Sequence, residues 1–202
     1  MKIMRREILV SRGQFPTSQS WVDTLREIES AILAVEWPPG SGSFTLYDES
    51  GKHRKEGNGV TPIKDNCMAQ LESTGWELEA KLDIATVRRP GPVDAAKQIG
   101  NRYFCVEWET GNISSSHRAM NKLALGMLQG ILVGGILILP TREMYRYLTD
   151  RVGNLAELEP YFPLWKSIAI SEGILGVIAI EHDAVSKEVP RIPKGTSGRA
   201  LE

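Results

Sequence analysis

Between residues 20 and 35 the apolar positions Trp21, Leu25, Ile28, Ile32 and Val35 recur at steps of 4, 3, 4 and 3, which places them on one stripe of a helix. Ser20 is available as its N-cap, and Pro38-Pro39 ends it. From Pro38 to Pro62 the periodicity gives way to Gly, Ser and charge; this predicts a long loop or a short hairpin, an arrangement compact domains often keep for binding. Lys64 or Asp65 opens a short helix through Leu71, Gly75 stops it, and Trp76 to Ile84 alternates as a strand does. Arg88-Arg89-Pro90-Gly91-Pro92 breaks the chain before a second strand over Arg102 to Glu109. Ser114 to Ser116 offer caps for a helix reaching about Gln129, and Gly130 supplies its stop. A strand near Ile131 to Leu139, a helix from Thr141 to about Val152 and a last strand over Ile174 to Ile180 complete the series. Strands alternating with helices define an α/β class, a sheet with helices packed on it.

The uncharged run Leu123 to Pro140 is 18 residues long, close to the length that spans a bilayer. Gln129 and four glycines interrupt it. The run divides more naturally into a helix end and a strand buried on both faces, which loses the polar alternation of a half-exposed strand. No membrane segment is expected.

Composition narrows the picture modestly. A chain of 202 residues with 42% hydrophobic content buries one good core, so a single domain over 1–202 is expected, with a flexible basic tail from about Lys187. Its 24 basic and 25 acidic side chains exclude the bulk basicity of a non-specific nucleic-acid coat, although they permit a local basic cleft. Cys67 and Cys105 are 38 positions apart with no Cys-x-x-Cys and sit in apolar settings. They read as buried thiols in a reducing cytoplasm. The N-terminus, MKIMRREILV, lacks the apolar core of a signal peptide.

The chemistry lies in FCVEWETGNISSSH, residues 104 to 117. Strand side chains alternate, so Tyr103, Cys105, Glu107 and Glu109 share one face while Phe104, Val106 and Trp108 share the other. Two carboxylates roughly 7 Å apart in strand geometry repel in a dry site unless a cation lies near them. The plainer alternative is an edge strand whose acids are merely solvated. Asp94 stands 13 positions before Glu107 across a turn and can return to the same end of the sheet. Carboxylates converging there form a hard-oxygen site suited to Mg²⁺. Arg88, Arg89, Lys97 and Arg102 bring local positive charge beside it. Acids for metal beside bases for phosphate is the layout of a phosphodiester hydrolase.

VEWETGN, a Ser-rich helix start and VGGILILPTREM together resemble the BglII, BstYI and BamHI group of type II restriction endonucleases, whose active site belongs to the PD-(D/E)xK superfamily. LREIESAI, GNGVTPIKDNCMAQLESTGW and LPTREMYRYLTDRVGN stand in the corresponding order, so the resemblance runs from about residue 20 to 180. It implies a restriction-endonuclease-like central mixed sheet flanked by helices. It also implies catalysis by Asp94, Glu107 and Glu109, with Asp94 and Glu107 as the metal ligands and Mg²⁺ as cofactor. Glu109 stands where most of the superfamily has Lys. Asp83 is the alternative to Asp94, and Glu27 or Glu29 is a candidate extra ligand.

The resemblance further implies a homodimer cutting double-stranded DNA at a palindrome, and group members read sites built around GATC. Asn112, Ser114, Ser115, Ser116, His117, Arg118 and Lys122 crowd one helix start and are the candidate DNA contacts. The plain reading of the serines there is as caps alone, and Asn121 and Lys122 face either a phosphate or a partner subunit. Met120, Leu123 and Leu128 suit core or dimer seam. Candidate DNA clamps are Lys52-His53-Arg54-Lys55 and the tail residues Lys187, Arg191, Lys194 and Arg199, with solvated charge as the plain reading. The expected activity is a sequence-specific, Mg²⁺-dependent type II restriction endonuclease. Its rivals are a repair-type nuclease and an inactive DNA-binding member of the fold.

Overall fold

A computed structural model describes residues 1–53, 56–84, 91–149 and 152–194. Six strands form one mixed sheet: β1 (Lys2–Arg12), β3 (Glu77–Ala80), β4 (Val93–Ile99), β5 (Arg102–Trp108), β6 (Leu132–Pro140) and β7 (Gly173–Glu181). Their spatial order is β1-β7-β6-β5-β4-β3. The three central strands β5, β6 and β7 run parallel, while β1 on one side and β4 and β3 on the other are antiparallel to their neighbours. A separate parallel pair joins β2 (Thr45–Tyr47) to β8 (Ala184–Ser186).

Both sheet faces are covered. On one lie α1 (Gln19–Leu33) and α2 (Thr61–Ser73), whose Trp21, Ile28, Cys67 and Leu71 pack with Phe104, Val106 and Trp108. On the other lies α3 (Ile113–Leu128), whose Met120 and Leu123 pack with Cys105, Leu137 and Trp165. This is why β6 is buried at every position and shows no alternation. Its Gly134 and Gly135 let the layers close. A β-carbon on Gly134 would lie 2.5 Å from the Ile174 carbonyl oxygen, and one on Gly135 would lie 2.6 Å from Leu123 Cδ2. The long uncharged run therefore resolves into the end of α3 and strand β6. Among the described residues, no helix is long and apolar enough to cross a membrane.

Several expected boundaries move. The cap of α1 is Ser18, whose side chain accepts from the Trp21 N–H, and Ser20 lies inside the helix. Helix α2 begins at Thr61, with Pro62 in its first turn, where proline's missing N–H is harmless. The strand expected over Trp76 to Ile84 is confined to Glu77–Ala80. The helix expected from Thr141 to Val152 contracts to α4 (Arg142–Tyr145). The aromatic stretch after it holds α5 (Leu155–Leu158) and α6 (Phe162–Lys166).

Two strands of the six-stranded sheet had no expectation. Strand β1 carries bulges between Ile3 and Arg5 and between Ile8 and Val10, which break the period of two. It is an edge strand, and its charges pair outward: Arg5 with Glu7 and Glu159, Arg6 with Glu29, and Lys166 with Glu7. Strand β4 reads VDAAKQI, with two alanines where strand formers would signal it. The segment from Lys187 is held down as far as Lys194. Ile192 is fully buried, Trp37 Nε1 donates to the Pro190 carbonyl, and Lys194 Nζ donates to the Glu56 carbonyl.

Candidate active site

The β4–β5 ladder positions the acids. Ala95 pairs with Val106, so one step further along this antiparallel register Asp94 stands opposite Glu107. Leu78 pairs with Ala95 on the other side of β4, so Glu79 of β3 stands opposite Asp94 in turn. Three acids thus cross three strands in register. Glu79 adopts φ 50°, a backbone region that ordinary side chains seldom occupy and that clusters at functional sites.

Asp94, Glu107 and Glu109 line one cavity of about 540 Å³ together with Lys64, Gly111, Ser115, Arg118 and Lys122. The expected face of β5 is confirmed: Cys105 packs toward α3 and Glu107 opens into the cavity, while Phe104, Val106 and Trp108 pack toward α1 and α2. The solvated-edge alternative is removed, because Glu107 and Glu109 are each only 7% exposed.

Each acid has its own partners. The Trp108 backbone N–H donates to Asp94 Oδ2 at 2.7 Å, and Lys64 Nζ donates to Asp94 Oδ1 at 2.6 Å. Lys64 also lies 3.5 Å from Glu79 Oε1. Burial works to lower the Lys64 ammonium, but Asp94 and Glu79 outweigh it and its pKa is raised. Lys122 Nζ sits 2.5 Å from Glu107 Oε1 and donates to the Pro92 and Gly91 carbonyls at 2.8 and 3.3 Å. Burial, reinforced by the charge of Asp94, nevertheless pushes Glu107 up to about 7, since the opposing pull of Lys122 and Lys64 is smaller. Glu109 is raised by burial too, against the Gly111 N–H and the Ser116 hydroxyl that favour its charged form.

This donor set fits a hard divalent cation. Two carboxylates face each other across adjacent strands, and their mutual repulsion is the kind a cation relieves. Mg²⁺ takes one or two protein carboxylates and keeps water for substrate oxygens. Among the described residues no three His, Cys, Asp or Glu side chains are gathered tightly enough to cage a metal by themselves. The three-carboxylate cluster expected from the sequence is therefore looser than envisaged, with Glu109 turned to its own turn at Gly111.

The helix α3 residues divide by direction. Asn112 is the cap: its Oδ1 accepts from the Ser114 and Ser115 N–H groups. Ser114 and Arg118 are exposed, and Ser115 and Arg118 line the cavity. Ser116 is fully buried and faces Glu109, which corrects its expected place on the DNA-reading surface. His117 stacks edge-on against Tyr161 at 4.4 Å, and Asn121 accepts from Trp165 Nε1. Both face the α6 side rather than the acids.

Other expectations are placed elsewhere. Glu27 binds Trp76 Nε1 and Lys97, and Glu29 binds Arg6, so neither joins the acids. Asp83 is exposed and does not line the cavity. Lys97 is committed to Glu27, and Arg191 pairs with Glu49. Arg54, Lys55, Arg88, Arg89 and Arg199 lie outside the described residues. Sequence reasoning missed Lys64 and Glu79. Neither had a local signal, since only strand register and the approach of α2 bring them to Asp94.

The central mixed sheet flanked by helices, with Asp94 and Glu107 facing each other across β4 and β5, is the arrangement to set beside known proteins. A crystal structure of restriction endonuclease BglII complexed with a DNA 16-mer superimposes with a TM-score of 0.61, covering 94% of this chain and 88% of that one at 11% identity. The family model described as restriction endonuclease BamHI matches residues 1–199. The type II restriction enzyme OkrAI of Oceanobacter kriegii is 50% identical over 201 residues, spanning 100% of both chains. The type II restriction enzyme BamHI of Bacillus amyloliquefaciens is 41% identical over 180 residues, 85% of this chain and 80% of that one. The chain belongs to the BamHI family and is a type II site-specific restriction endonuclease.

Proposed function

We propose that this endonuclease is a Mg²⁺-dependent homodimer that cuts double-stranded DNA at a short GATC-centred palindrome in the cytoplasm. The observation that carries the metal assignment is Asp94 standing opposite Glu107 across β4 and β5, with both open to one cavity. Held by these two carboxylates, Mg²⁺ would polarise the scissile phosphate and lower the pKa of a bound water.

The chain's own groups supply the rest. Glu109, raised by burial, is a better proton acceptor than a solvated carboxylate and is placed to orient or deprotonate the attacking water. Arg118 and Ser115 line the same cavity, where a phosphate would meet a guanidinium and a hydroxyl. The Asn112 amide NH₂ and the Ser114 hydroxyl are at the exposed start of α3, suited to base edges. The DNA 16-mer bound in the BglII complex supports a DNA substrate for this chain. The GATC core rests on the resemblance to the BglII, BstYI and BamHI group.

The dimer reading is supported by Leu125 and Leu128 of α3, Leu164 of α6 and Tyr161 beside it, four large apolar side chains left exposed on adjoining elements. A second copy would cover them, and two-fold symmetry would suit a palindrome. A reducing compartment is supported by Cys67 and Cys105, both free and buried, with Cys67 pushed up to about 12 by burial.

Plasmid digestion in Mg²⁺ with sequencing of the fragment ends tests the reading. Discrete fragments with GATC-centred ends are expected, and none from Glu107→Ala, which should still bind the mapped duplex in Ca²⁺. Full cleavage by Glu107→Ala would reject the assignment.

A further inference from the structure

Both acids of the proposed metal pair already hold an ammonium. Lys122 reaches Glu107 from α3 at 2.5 Å, and Lys64 reaches Asp94 from α2 at 2.6 Å. Neither contact is an ordinary surface pair, since the Lys122 and Glu107 side chains are 10% and 9% exposed and those of Lys64 and Asp94 are 20% and 13%. The two lysines come from different helices and converge on facing acids, as replacements for a cation between those acids would. Lys122 is also held by the Pro92 and Gly91 carbonyls, so it has a defined resting place rather than a solvated one.

We propose that Lys122 and Lys64 are resident counter-cations of Glu107 and Asp94, which a divalent ion must displace and which then move to the phosphate of the incoming DNA. The proposal rests on the reading of Asp94 and Glu107 as the metal pair. An ion entering the DNA-free protein breaks two largely buried ion pairs and leaves two ammonium groups without an anion, which is costly. A phosphate in the same cavity gives those groups a new partner, so metal and DNA favour each other's binding, and linkage makes the effect reciprocal. The strand position where the superfamily's lysine is expected holds Glu109; the ammonium charge enters instead from α3 and α2.

Ca²⁺ titration calorimetry on the DNA-free protein tests this, comparing wild type with Lys122→Met, which keeps the apolar stem and removes the charge. The variant is expected to bind Ca²⁺ about tenfold more tightly, the scale of one close charge pair. Adding the duplex mapped from the plasmid ends should tighten Ca²⁺ binding strongly in wild type and much less in the variant. Lys64→Met probes the same competition at Asp94 and serves if Lys122→Met fails to fold. A folded variant whose Ca²⁺ affinity is unchanged or weaker, or whose response to DNA equals that of wild type, overturns the proposal; a purely structural lysine would lower the melting temperature alone. If wild type and both variants bind neither Ca²⁺ nor Mn²⁺ with or without DNA, the metal pair itself is wrong.

Discussion

The Trp108 backbone N–H donates to Asp94 Oδ2 at 2.7 Å, so the acid on β4 finishes the hydrogen bonding of β5 where the ladder ends. One oxygen of Asp94 is structural and the other faces Lys64. Asp94→Asn keeps an acceptor for Trp108, whereas Asp94→Ala leaves that N–H unpaired. Urea denaturation should find the Ala variant less stable than the Asn variant by about 1–3 kcal/mol, while neither cuts plasmid in Mg²⁺. Equal stability would show that the Trp108 bond contributes nothing.

Glu107 gives the metal-free protein a pH dependence opposite to that of most carboxylates. Its pKa rises from 4.5 to about 7 on folding, so between those values the folded state holds a proton that the unfolded chain has released. Stability contributed by this group therefore falls as pH rises from about 4.5 through 7, by at most about 1.4 kcal/mol per pH unit. Glu107→Gln should flatten that slope in denaturation curves taken in EDTA from pH 5 to 8. An unchanged slope would assign it to other groups.

Asn112 can separate capping from the proposed recognition, because its oxygen caps α3 while its NH₂ group, at the exposed start of the helix, is the part proposed to meet DNA. Asn112→Ala should cost about 0.5–2 kcal/mol through the lost cap. Asn112→Asp retains the acceptor and should stay near wild-type stability, yet bind the mapped duplex at least about tenfold more weakly in Ca²⁺, the scale of one base contact. Wild-type affinity of the Asp variant would reduce Asn112 to a cap.

Leu128 and Leu164 are 55% and 61% exposed, more than most large apolar side chains of the described chain. Lysine at both positions should cost the fold little and convert the proposed dimer into a monomer in sedimentation, because apolar burial drives such interfaces. A double variant that still sediments as a dimer would move the seam elsewhere.

Local pattern alone determined α1, α3, β5, β6 and β7, because each carries a complete period of its own: a stripe for a helix, alternation or a fully apolar run for a strand. It also placed Glu107 and Glu109 on one strand face, since period two needs no partner. Strands β1 and β4 were decided by tertiary pairing, one because bulges spoil its alternation and the other because its alanines signal little. The same pairing brought Asp94 opposite Glu107, aligned Glu79 beside it, and delivered Lys64 and Lys122 from two helices. Burial turned Ser116 inward and freed Arg118 to face the cavity. A side chain's face follows from its neighbours in sequence, but its partner follows from register and helix packing, and the chemistry of this site lives in the partners.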